Sequence, residues 1–239
     1  MMMKKKHKWG RAVILLLVLI LFAAGLYSLR ITSVQYVGNT RYSEEEMSRL
    51  LFLESYEQNP IYCFFANQYK EKKQIPFIET YEIEFLSWNQ IKVTVYEKGI
   101  AGYVDYKGHY MYFDKDGIVV ESSQELLDGV VKIEGLDFEH IVLHQVLPVE
   151  KEEVFNLILS LTQMLTKYAI DVDKISFDAG MNIWIYRKNV VVQMGKDIYL
   201  DEKMAKFKDM LPQLEGLAGT LYLDDYSEDR EEFRFKKEE

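Results

Sequence analysis

Residues 31–46 read ITSVQYVGNTRYSEEE, and the fold can be worked outward from this stretch. Ile31–Val37 is rich in β-branched residues and stops at the turn pair Gly38-Asn39, so it reads as a strand. Ser43 and Glu46 stand three apart, the spacing at which two side chains satisfy each other's backbone N–H groups at a helix start. Met47, Leu50, Leu51 and Leu53 give that helix an apolar face. Asn59-Pro60 breaks the pattern, and Phe64 to Lys73 predicts a second helix. After Pro76 come two strand candidates, Ile78–Leu86 and Gln90–Tyr96, joined by Ser87-Trp88-Asn89. In the latter, Ile91, Val93 and Val95 alternate with Lys92, Thr94 and Tyr96, one face buried and one wet. The order is β-α-α-β-β.

Toward the C-terminus a second unit, 98–226, reads as a sheet with two helices. Ala101–Tyr106 and His109–Phe113 are short strands around Lys107-Gly108, and Asp114–Gly117 turns into Ile118–Val120. Val154, Leu157, Ile158, Leu161, Leu165 and Tyr168 recur at helical spacing over 150–168. Ile175–Phe177, Ile183–Tyr186 and Val190–Met194 follow as strands. Met204, Phe207, Leu211 and Leu214 line a second helix, and Gly219–Asp225 is a last strand. Consecutive strand pairs predict a mostly antiparallel α+β sheet.

Toward the N-terminus the charge pattern changes. The 239 residues carry a net charge of −9, but residues 1–29 hold five bases (Lys4, Lys5, Lys6, Lys8, Arg11) and no acid. The other 210 residues hold 24 bases and 38 acids, a balance of −14. An acidic body argues against nucleic-acid binding, which needs a cationic surface. Ala12–Leu29, AVILLLVLILFAAGLYSL, is uncharged over 18 residues, about 27 Å of helix, and predicts a transmembrane helix over 12–29. The basic tip, 1–11, would then stay cytoplasmic and the rest lie outside the cell membrane. A signal peptide cleaved at Ala23-Ala24-Gly25 is the alternative, and the apolar run through Leu26 and Leu29 favours retention.

Catalytic and cofactor motifs do not emerge. Asp114-Lys115-Asp116-Gly117 resembles the middle of a calcium loop, but Tyr112 and Ser123 would occupy its first and last ligand positions without a carboxylate. His140 and His144 are four apart with no third ligand evident. Cys63, the sole cysteine, sits in an apolar run and reads as a buried thiol without a base partner. No G-x-S-x-G, G-x-x-x-x-G-K or G-x-G-x-x-G occurs. The expectation is no catalytic residue, no metal and no cofactor. The surplus lies instead in 17 Tyr and 13 Phe, residues that fill strands and also enrich partner surfaces. The charged tail, 227–239, still carries Phe233 and Phe235 two apart, so an extended tail could anchor one face on a sheet or a partner.

Order and motif together resemble a known family. Ile31–Asn39 with its capped helix resembles the start of a POTRA domain, here 30–97, and Pro76-Phe77-Ile78 with Ile91–Lys98 resembles its closing hairpin. One basic-flanked apolar segment before one such unit resembles the layout of the FtsQ/DivIB bacterial cell-division proteins. Asp114–Gly117 matches that family's D-x-x-G turn, and Gly195, Leu200, Lys203, Gly219 and Asp224 match its C-terminal pattern. Departures are Trp88-Asn89-Gln90 in place of a turn proline, Gly99-Ile100-Ala101 in place of P-x-A, and His144-Gln145 where a glycine is frequent. The resemblance implies a non-enzymatic scaffold at the division septum that binds FtsL-type and FtsB/DivIC-type proteins outside the membrane. It also implies an edge strand near the C-terminus offered to a partner, with Tyr222, Asp224, Tyr226, Phe233 and Phe235 as the candidate contact residues. The rivals are a membrane-anchored extracytoplasmic enzyme acting on cell-wall material and a secreted POTRA-containing assembly factor.

Overall fold

The computed structural model describes residues 3–227 and 233–238, with side chains from Val13 onward. The side chains of the basic tip and residues 228–232 and 239 of the tail lie outside that range. The chain divides into two units, Met1–Lys98 and Gly99–Glu239. Both are α+β, and each builds its own core.

The first unit opens with helix α1, Met3–Ser28. Among the described residues no helix is long and apolar enough to cross a membrane. The expected transmembrane helix over 12–29, its role as the membrane contact and the single-pass location at the cell membrane are therefore corrected. Of the expected span, α1 takes in 12–28 and ends at Ser28, leaving Leu29 outside it. The end of α1 is gathered by one side chain. Asn59 Nδ2 donates to the carbonyls of Leu26, Tyr27 and Leu29 (2.8, 3.2 and 3.1 Å). The same residue's Oδ1 accepts the N–H groups of Ile61 and Tyr62, capping helix α3, Pro60–Tyr69. Asn59-Pro60 is thus a helix start and not a break, because proline at the first helical position loses no hydrogen bond and is preset in φ.

Strand β1, Ser33–Val37, leads to helix α2, Glu44–Leu51. Its capping box forms as its spacing requires: the Glu46 N–H donates to Ser43 Oγ, and the Ser43 N–H donates to Glu46 Oε2 at 2.9 Å. A short 3-10 turn, Ser55–Gln58, precedes α3. Strands β2 (Ile78–Ser87) and β3 (Gln90–Glu97) complete a three-stranded sheet ordered β1-β3-β2, with β1 parallel and β2 antiparallel to β3. Ile91, Val93 and Val95 are the buried positions of β3 and pack with Met47, Leu51 and Cys63. At the end of β3, the Glu97 carboxylate accepts from Thr40 N, Thr40 Oγ1 and Arg41 N, tying the strand to the loop before α2.

The second unit is one nine-stranded sheet with two helices. Its strands are β4 (Gly102–Tyr106), β5 (His109–Phe113), β6 (Val119–Ser123), β7 (Lys132–Glu134), β8 (Lys174–Phe177), β9 (Ile183–Arg187), β10 (Val190–Gly195), β11 (Gly219–Tyr222) and β12 (Arg234–Lys237). Their order is β12-β11-β10-β9-β8-β7-β4-β5-β6. The pairs β10·β11, β4·β7 and β7·β8 are parallel and the other five antiparallel, so the sheet is mixed with antiparallel pairs in the majority. Two of the parallel pairs involve β7, a three-residue strand too short to show any period. Helices α4 (Glu153–Lys167) and α5 (Leu200–Leu214) bring Ile158, Leu161, Met204 and Phe207, all fully buried, onto Ile133, Ile175, Ile185, Val192 and Leu221. Each such side chain contributes about 1.5–3 kcal/mol when fully buried.

The alternate strand residues form the other face. There the central cations are neutralised within and across strands: Lys132 Nζ lies 2.6 Å from Asp105 and 2.8 Å from Glu134, and Lys174 Nζ lies 2.7 Å from Glu134 and 4.3 Å from the Tyr186 ring centre. Bonds from Lys132 and Lys174 hold the Glu134 carboxyl below its ordinary pKa. Its stabilising effect is therefore complete above the ordinary carboxylate value and is lost as pH falls through the lowered one. Glu134→Gln should lower the melting temperature at pH 7, with the difference from wild type shrinking below about pH 4 and vanishing in stronger acid. A difference independent of pH would show that the carboxylate charge is not what matters. The turn after β7 depends on Gly135 at φ +80°, where an added Cβ would strike the Phe177 backbone. Gly135→Ala should cost about 2 kcal/mol or more in urea unfolding, against about 1 kcal/mol for Gly108→Ala, which has a similar φ but open space around it.

Candidate functional site

β10, α5 and β11 form a strand–helix–strand crossover, and the chain then turns at 223–227 so that β12 runs back antiparallel along β11. The register pairs Gly219 with Lys237, Thr220 with Lys236, Leu221 with Phe235 and Tyr222 with Arg234. The Glu238 N–H donates to the Ala218 carbonyl at 3.0 Å, which marks 218/238 as a hydrogen-bonded pair. By the two-residue alternation of antiparallel ladders, Lys236 and Arg234 also face β11. Phe235 and Lys237 turn their backbone N–H and C=O groups outward. Among the described residues, no strand or bridge lies on that outer side.

The opposite edge of the same sheet is blunted. Along β6 the Val119 N–H donates to Gln145 O, and the His144 N–H donates to Val119 O, with a further bridge between Ile118 and Val146. His144, at φ +64°, serves this pairing through its backbone.

The five residues singled out from the sequence gather around β11 and β12. Phe233 and Phe235 are half-buried and pack against the main core, on the helix-covered side with Leu221. The Tyr226 ring stacks on Phe233 (centres 6.1 Å apart, planes 5°) and meets Tyr199 at 5.9 Å. Tyr222 lies on the other face beneath the Arg234 guanidinium, 3.8 Å from the ring centre. Asp224 is exposed and accepts from Gln193 Nε2 at 2.9 Å, its Cβ packed over Gly195.

Behind this edge sits Lys203, only 2% exposed. Its Nζ donates to the carbonyls of Met194 (2.7 Å) and Lys196 (3.1 Å), pinning the corner between β10 and α5. Burial pushes its ammonium below the ordinary lysine range, opposed by the charges of Asp224 and Asp197. Tyr199, Arg234 and Lys236 belong to the same constellation and escaped the sequence reading. Tyr199 sits in a left-handed cap at φ +56°, which no periodicity announces, whereas the Phe-x-Phe spacing around Arg234 was itself a strand signal.

Elsewhere, a cleft in the first unit is lined by Leu51, Tyr62, Cys63, Lys73 and Tyr81. Burial, with Glu57 nearby, pushes the Cys63 thiol up to about 11, leaving it protonated and unreactive at neutral pH. Among the described residues, no group of three His, Cys, Asp or Glu side chains is placed to hold a metal ion. No family model matches the chain, and no curated protein matches it.

β12 reaches β11 only because residue 219 is glycine. A Cβ there, at φ +150°, would meet the Lys236 carbonyl oxygen and the Phe235 ring. Gly219→Ala should loosen β12, so that the Lys236 and Glu238 amides exchange with deuterium roughly tenfold faster while the β9 and β10 amides keep their protection. Unchanged exchange at 236 and 238 would contradict this account of the edge.

Proposed function

We propose that this chain is a non-enzymatic scaffold of the FtsQ/DivIB kind, which holds division proteins of the FtsL and FtsB/DivIC types by accepting a partner strand on the outer side of β12. The observation that carries the reading is the free edge itself. A strand with outward-facing Phe235 and Lys237 backbone groups sits where Tyr222, Asp224, Tyr226, Phe233 and Phe235 converge. Backbone hydrogen bonds supply affinity in strand addition, and alternate side chains supply selectivity. The stacked Tyr226 and Phe233 beside that edge are residue types that anchor protein interfaces. The motif order described above supports the choice of partner. The β-α-α-β-β first unit supports a second contact region by the same resemblance.

The test uses the full chain and Lys237→Pro. Lys237 pairs with Gly219 at a position that makes no ladder bond to β11, so proline there removes an outward N–H and one side-chain charge but no bond to β11, and Lys237→Ala, which removes the charge alone, should retain the partner. Wild-type protein should retain an FtsB/DivIC-type partner in a pulldown. Lys237→Pro should cut retention at least tenfold with a melting temperature within about 2 °C of wild type. Equal retention by the variant, or none by the wild type, would remove the reading.

A further inference from the structure

The charges on β12 go beyond the existence of a free edge and say what kind of strand the edge accepts. Arg234, Lys236 and Lys237 are all exposed, and four consecutive residues thus supply three cations to a body whose overall balance after residue 29 is −14. Cations in the middle of the same sheet face are paired: Lys132 with Asp105 and Glu134, Lys174 with Glu134. None of the three on β12 has an ion-pair partner among the described residues, and Arg234 rests only on the Tyr222 ring. Among the described residues, the strand cations of this sheet that lack an ion-pair partner therefore lie on β12.

Such charges keep a second copy away, because two β12 strands side by side would bring lysines and arginines into register. They have the opposite effect on an acidic strand. The faces set the order of its residues. Arg234 and Lys236 lie on the face away from the helices, with Tyr222 and Thr220, whereas Phe233 and Phe235 lie toward the core and the Tyr226 ring. A strand added outside β12 places alternate side chains beside these two rows.

Resting on the edge reading above, we infer that the β12 edge selects a protein segment in which acidic and apolar residues alternate, the acids lying beside Arg234 and Lys236 and the apolar residues beside Phe233 and Phe235. Each opposite-charge neighbour adds a small factor, and together they amount to about a tenfold preference over an uncomplementary strand.

The test measures binding of the full chain to three blocked eight-residue peptides by fluorescence anisotropy. One alternates Glu with Val, one alternates Lys with Val, and one has the composition of the first with its four Glu grouped together. The alternating Glu peptide should bind about tenfold more tightly than either of the others. In Arg234→Glu/Lys236→Glu, with folding checked by its melting temperature, the preference between the Glu and Lys peptides should reverse. Equal binding of the grouped and alternating Glu peptides would reduce the effect to unspecific charge attraction and overturn the inference. Equal binding of the Glu and Lys peptides would overturn it as well. Failure here is distinguishable from failure of the scaffold reading. If Lys237→Pro still abolishes retention of the division partner while the peptides show no preference, the edge stands and the charge rule falls. If the Glu peptide is preferred but no division partner is retained, the charge rule stands and the identity of the partner falls.

Discussion

Everything in the larger unit depends on α4 and α5 covering the same side of a nine-stranded sheet. Once Ile158, Leu161, Met204 and Phe207 are buried against it, each strand must turn its alternate residues the other way. That requirement places Asp105, Lys132, Glu134 and Lys174 in one connected row on the uncovered face. It also places Arg234 with Tyr222, and Phe235 with Leu221, on opposite sides of the same four-residue strand. The chemistry of the candidate site thus follows from the geometry of the core.

The two ends of this sheet are treated differently by the chain. One is closed by the segment 144–147, which returns to pair with residues 117–119. The other ends in a strand anchored by two half-buried phenylalanines, with nothing paired to its outer side among the described residues. Unprotected edges invite unwanted pairing, and natural sheets counter this with charge. The exposed charges of β12 itself, Arg234, Lys236 and Lys237, are all positive.

Most strands of the fold were legible from period-two alternation, as in Ile91, Val93 and Val95, and the start of α2 was legible from Ser43 and Glu46. The misreadings have physical causes. Asn59-Pro60 reads as an interruption because proline breaks helix interiors, whereas at a first position it fits. β7 offers three residues, fewer than any alternation needs, and its pairing with β4 and β8 is decided by tertiary contacts. The apolar run 12–29 reads as one span, whereas α1 ends at Ser28, with the Leu26 and Tyr27 carbonyls taken by Asn59 Nδ2. At the C-terminus, high charge masked the Phe233–Phe235 alternation, and the outward side of β12 emerged only from register.

The joint between α1 and α3 has a consequence for chemical ageing. Asparagine side chains degrade when the nitrogen of the following peptide attacks their carbonyl carbon, and the product is an aspartate or its isomer. At Asn59 that change would turn a donor to the Leu26, Tyr27 and Leu29 carbonyls into a negatively charged acceptor facing them. The residue that follows is Pro60, whose nitrogen carries no hydrogen and cannot make that attack. The proline that sets the first turn of α3 therefore also closes that route at the amide that joins the end of α1 to the start of α3.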